Sequence, residues 1–189
     1  MRNRMVLTIA AVAALLAGCG DGGSGPDTSA AKTSAPSDAP GTRPSDAQLK
    51  QGAPSKDAAL TVTDIRIGHH PGFDRVVYEL GGVGAPGWRV QYADRAIQDG
   101  SGKQIDVAGR SILEVQILGS AYPFDSNVTP YAGPDPAVNP AAPGITGVYR
   151  TLVFEGTTQS FIGVNADKPA FSVTALTQPT RLVIDIDHP

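Results

Sequence analysis

Ile112-Leu113-Glu114-Val115-Gln116-Ile117-Leu118 alternates apolar and polar side chains. On an extended chain that order puts Leu113, Val115 and Ile117 on one face and Glu114 and Gln116 on the other. The stretch predicts a strand with one dry and one wet face. The rhythm continues outward on both sides. Trp88-Arg89-Val90-Gln91-Tyr92 groups Trp88, Val90 and Tyr92 against Arg89 and Gln91, and Thr63 to Ile67 sends Ile65 and Ile67 one way and Asp64 and Arg66 the other. Further strands are predicted over 73–80, 104–107, 148–155, 159–164, 171–176 and 181–187. Between them lie turn residues such as Pro71-Gly72, Asp99-Gly100-Ser101-Gly102 and Glu155-Gly156-Thr157. No segment carries a helical period. The reading is all-β, a small antiparallel β-sandwich.

Residues 119–147 interrupt the rhythm with six prolines, four glycines and the tyrosines Tyr122 and Tyr131. Long loops of this composition inside a compact domain are uncommon and are often functional or mobile, and an insertion that merely wraps the sandwich is the plainer reading.

The chain before the strands divides in two. Arg2 and Arg4 precede an apolar run from Met5 to Ala17, a charged region followed by a hydrophobic one. At about 1.5 Å per residue the run is too short to cross a bilayer core of roughly 30 Å, and it reads as an export signal over 1–18. It ends in Leu16-Ala17-Gly18-Cys19, which resembles the lipobox of bacterial lipoproteins, with Cys19 the residue that is lipidated. Cys19 is the chain's single cysteine and has no disulfide partner. Residues 19–59 are rich in Gly, Pro, Ser, Ala and Asp, too polar to offset the entropy of ordering, and read as a tether. The expected location is the extracytoplasmic face of the cell membrane, held there by lipid. All eleven aromatic residues lie beyond position 60, so one domain is expected over 60–189.

Removing Arg2 and Arg4 from the 15 Lys and Arg leaves 13 cations against 18 acids. The remaining cations are scattered singly, which speaks against nucleic acid as a partner.

Two strands echo one another. Arg75-Val76-Val77-Tyr78-Glu79-Leu80 and Arg181-Leu182-Val183-Ile184-Asp185-Ile186 each run from an Arg through apolar residues to an acid and a final apolar residue. Period two sets Val76, Tyr78 and Leu80 on one face, and likewise Leu182, Ile184 and Ile186, with the charges opposite. The pair suggests two pseudo-symmetric sheets. With Val62-Thr63-Asp64-Ile65-Arg66-Ile67-Gly68-His69-His70, Gly72-Phe73-Asp74, Trp88 to Tyr92, Asp99 to Gly102 and Pro179-Thr180, these residues resemble the AMIN-like domains of bacterial lipoproteins. Those are relatives of the AMIN targeting domain of N-acetylmuramoyl-L-alanine amidases. The resemblance covers residues 60 to 187, loosely over 119–147. It implies a β-sandwich that recognises the cell wall or localises a protein there, with the amidases' zinc-dependent catalytic domain absent.

Weighed singly, the reactive side chains favour binding over chemistry. His69 and His70 are adjacent and point apart on an extended chain, and His188 is remote in sequence, so no metal-ligand spacing is legible and no metal or other cofactor is expected. There is no Gly-x-Ser-x-Gly elbow. Asp185 and Asp187 share a face as glycosidase carboxylates do, yet solvated strands commonly carry such pairs, and no catalytic residue is assigned. Asn127-Val128-Thr129 matches a glycosylation acceptor, a coincidence in a bacterial lipoprotein. Trp88 and Tyr92 offer flat surfaces for sugar rings, but with Val90 they read as a core face. The outward set Arg75, Glu79, Arg181 and Asp185, with Arg89 beside Trp88, is the expected binding surface. The expected function is a non-catalytic, membrane-anchored binding module for peptidoglycan or another cell wall glycan. The alternative is an adaptor that recruits an envelope or division protein, its exposed strand edges accepting a further strand.

Overall fold

The computed structural model describes residues 44–188. The signal peptide expected over 1–18, the lipidation expected at Cys19 and the first part of the expected tether lie outside the described residues. Among the described residues nine strands form two antiparallel sheets. The larger contains β1 (Lys50–Gly52), β4 (Gly87–Ala93), β5 (Ser111–Leu118), β7 (Thr157–Val164) and β6 (Ile145–Phe154), in the spatial order β1-β4-β5-β7-β6. The smaller contains β2 (Ala59–His70), β3 (Phe73–Val83), β9 (Arg181–Asp187) and β8 (Phe171–Leu176), in the order β2-β3-β9-β8. The all-β sandwich expected from the sequence is present.

Alternation builds the core as expected. Leu113, Val115 and Ile117 are fully buried, as are Val90, Ile162, Val76, Leu182 and Ile184, and Tyr78 nearly so. One cluster joins residues of both sheets. Each such aliphatic side chain contributes about 1.5–3 kcal/mol when removed from water. The Tyr78 hydroxyl lies 3.0 Å from Ser160 Oγ on the facing sheet. In β2 the inward set changes parity, from Leu60 and Val62 to Ile65 and Ile67. A bulge between Val62 and Asp64 absorbs the extra residue, so both halves of a long strand keep an apolar inner face.

Three expectations need correction. The tether does not run to residue 59, because Lys50–Gly52 pairs with Trp88–Val90 as β1 and the Asp46 carbonyl accepts from the Phe171 amide. Backbone hydrogen bonds recruit a polar segment to a sheet edge with little apolar burial. Residues 104–107 form no strand, since only Gln104 bridges, to Ile97. The echoing strands do not relate two sheets; β3 and β9 are hydrogen-bonded neighbours in one, with Arg75 opposite Asp185 and Glu79 opposite Arg181.

Residues 119–147 are held at many points. The Gly119 carbonyl accepts from the Leu60 amide, the Leu60 carbonyl accepts from the Ala121 amide, the Tyr131 amide donates to Val62, and Ala137 exchanges two hydrogen bonds with Val148. The Asn139 side-chain amide reaches the Ile67 carbonyl at 2.7 Å. The segment thus runs along edge strand β2 and then bonds edge strand β6, covering backbone groups that would otherwise template another strand. It contains a single helical turn, α1 (Pro123–Ser126), with Pro123 in its first turn and Asn127 left-handed at its end (φ 54°).

Candidate functional site

The expected polar surface is not a surface. Arg75 and Asp185 are buried, and the guanidinium grips the carboxylate at both oxygens, Nε–Oδ1 2.6 Å and Nη2–Oδ2 2.9 Å. Arg181 is buried too, its Nε donating to the Pro179 carbonyl at 3.3 Å. Glu79 is half-buried and paired with Arg66 at 3.2 Å. Val77 and Val183, which alternate onto the same face, are also buried. Period two told which side these residues take but not that the side is covered, so Arg75, Arg181 and Asp185 are corrected from a wet face to a buried one. With both oxygens of Asp185 engaged by Arg75, the Asp185/Asp187 pair is not arranged as two free carboxylates.

Arg89 is exposed as expected. It borders a shallow cleft of about 390 Å³ with Gln51, Gly52, Trp88 and Leu118. Trp88 and Tyr92 are partly buried against the core. The indole lies so close to Gly52 that a Cβ there would meet it at 2.7 Å. The Tyr92 hydroxyl donates to the Pro169 carbonyl at 2.7 Å and its ring meets Phe171 edge-on. Both rings pack against the core, and Trp88 also borders an open cleft.

Open aromatic surface lies elsewhere, where sequence reasoning placed no binding residue. Phe124 and Leu152 are 76% and 77% exposed, and the rings of Tyr122 and Phe124 stack at 5.3 Å with planes 4° apart. Tyr122, Pro123, Pro130, Arg150 and Leu152 border a largely apolar cleft of about 330 Å³ floored by Val62 and Thr158. The helical turn of the 119–147 segment presents the two rings. A bulge in β6 between Arg150 and Val153 takes Leu152 out of alternation. Arg150 donates to the Tyr131 carbonyl and lies 5.4 Å from that ring, which sets a cation at the cleft's rim. The sequence signal was present in Tyr122 and Phe124 within a Pro-rich loop; the bulge that exposes Leu152 has no pattern of its own.

The histidines also differ from expectation. His70 stacks on Phe73 at 4.8 Å. His69 turns the other way and bonds the Asp74 carboxylate at 2.7 Å, with His188 stacked on it at 5.0 Å. Sequence spacing hid this group because the β2–β3 hairpin and the end of β9 assemble it.

Among the described residues no helix is long and apolar enough to cross a membrane. Compared with known families, residues 60–188 match the family model of the AMIN-like domain. No curated protein and no solved structure matches the chain.

Proposed function

Because the chain belongs to the AMIN-like domain family, we propose that it is a non-catalytic targeting module that binds peptidoglycan at the outer face of the cell membrane. The observation that carries the reading is the open cleft bordered by Tyr122, Leu152 and Arg150, with the exposed Phe124 ring stacked on Tyr122 beside it. Large exposed aromatics grouped on a soluble domain mark contact surfaces. Parallel rings suit the flat apolar faces of wall sugars, and the Arg150 guanidinium suits the carboxylates of muramic acid and stem peptides. Anchoring through lipid on Cys19 keeps the module near its polymer. Arg75, Arg181 and Asp185 serve in this reading by holding the smaller sheet, and Arg89 flanks a second, shallower cleft.

Sedimentation with purified sacculi tests the reading. The detergent-solubilised lipidated chain is expected to cosediment in a saturable way, and recovery no higher than a control β-sandwich would overturn it. The adaptor reading draws on the same exposed Phe124 and Leu152. Recruitment through the edge of β2 or β6 is less favoured, since the 119–147 segment already bonds both, which leaves the edges at β1 and β8. Crosslinking in cells that captures one dominant protein, without wall association, would favour the adaptor.

A further inference from the structure

We infer that His69, Asp74 and His188 form a binding site for a divalent transition-metal ion, with zinc the best fit. The inference is independent of wall binding. His69 lies near the end of β2 and pairs with Asp74 across the hairpin. His188 directly follows β9, whose Ile186 pairs with Asp74. One ligand atom from each residue falls within 4.8 Å of the other two. Asp74 Oδ1 stands 2.7 Å from His69 Nδ1 and 3.5 Å from His188 Nε2.

The donor set decides the class of ion. Two imidazoles and one carboxylate suit zinc and its first-row neighbours, whereas calcium and magnesium prefer all-oxygen sites. Ligand bonds of about 2.0–2.2 Å in a tetrahedral site place ligand atoms roughly 3.3 Å apart. The Asp74–His188 separation is already near that value. His69 must withdraw by roughly 0.6 Å relative to that spacing and turn out of its stack on His188 so that both ring planes meet at the ion, and its side chain, 44% exposed, is free to do so. Asp74 is fully buried, and its other oxygen accepts from the Gly144 amide at 2.7 Å. That bond fixes the carboxylate's orientation, as outer-shell partners do in metal sites. A Cβ at Gly144 would come within 2.8 Å of this oxygen, so the backbone approaches as closely as glycine permits.

The site has an approach on the side of His69, whose side chain is 44% exposed, and from there water would complete the coordination. His188 borders an open cleft of about 320 Å³ with Asn165, Asp167, Asp187 and Arg110. An ion here would tie the β2–β3 hairpin to the chain end beyond β9.

The test is calorimetric titration of zinc chloride into the untagged, chelator-stripped 189-residue chain, with cobalt(II) absorption as a second readout. One zinc per chain is expected, with visible cobalt bands of tetrahedral intensity. His69→Ala and His188→Ala should each lower zinc affinity at least tenfold and abolish the cobalt bands, while His70→Ala leaves both unchanged. Asp74→Asn is less informative because the buried carboxylate also holds Gly144, so the histidine variants decide. No zinc heat, or binding that persists in both His69→Ala and His188→Ala, would overturn the site and leave a His–Asp hydrogen-bond cluster.

Discussion

Arg75 and Asp185 face one another across the β3–β9 ladder and are joined by two parallel hydrogen bonds in a buried setting. Removing two charges from water offsets most of their attraction, so the pair adds little net stability. Breaking it is another matter, since one charge is then left buried alone. Arg75→Ala and Asp185→Ala are each expected to cost about 3–5 kcal/mol. The double variant Arg75→Met with Asp185→Leu should recover most of that loss. Urea unfolding measures both. A single variant costing less than about 1 kcal/mol would mean that the charges remain solvated.

Tyr78 and Ser160 provide a second, neutral link, this time between the sheets. Ser160 Oγ donates to the Tyr149 carbonyl at 2.6 Å, so the Tyr78 hydroxyl acts as donor to Ser160. Burial holds this phenol protonated well above the ordinary tyrosine range. Tyr78→Phe keeps the ring and loses one bond, an expected cost of about 1 kcal/mol. Tyr78→Ala also opens a cavity and should cost about 3–5 kcal/mol. A midpoint shift at constant denaturant slope would confirm that only the folded state has changed.

How far the sequence carried depended on whether the deciding interaction was local. Alternation in Leu113, Val115 and Ile117, and in Leu182, Ile184 and Ile186, is a property of neighbouring residues, and it located strands, faces and fold class. The burial of Arg75, Arg181 and Asp185 was illegible, because two strands about 105 residues apart had first to become neighbours. β1 was missed for a related reason: its pairing with Trp88–Val90 uses backbone groups that every residue has. Ligand convergence at His69, Asp74 and His188 likewise needs the hairpin and β9 together. Leu152 shows the limit most sharply, since a bulge reverses the face that strict alternation assigns.

Asp99 supplies a pH dependence. Burial, and then the charge of Glu114, raise its carboxyl above the ordinary value. The folded state therefore holds this proton more tightly than the unfolded chain. The favourable contribution is present below the unfolded value of about 3.9 and is lost as pH rises through the folded one. Asp99→Asn removes the ionisation. It should raise the melting temperature at pH 7, by less than about 1 kcal/mol in equivalent stability because the group is largely hydrated, and give no gain at pH 3. Thermal scans at the two pH values check the sign, and a larger gain at pH 3 would contradict it.

The surface formed by Leu152 in the cleft and Phe124 beside it separates binding from stability more cleanly than any other feature. Both side chains are mostly in solvent, so Phe124→Ser and Leu152→Ser should change unfolding free energy by no more than about 0.5 kcal/mol. If wall polymer stacks there, each loses a contact at the centre of the bound surface. A loss of about 2 kcal/mol, roughly thirtyfold in sacculus affinity, is the scale expected of such a position. Ile97→Ser changes an exposed apolar residue in the loop joining β4 to β5 and should leave affinity unaltered. Wild-type cosedimentation by both cleft variants would move the contact surface away from Tyr122 and Phe124, with the cleft beside Arg89 the next to test. Loss in the cleft variants alone, at unchanged melting temperature, would show that the segment lacing β2 to β6 also carries the binding face.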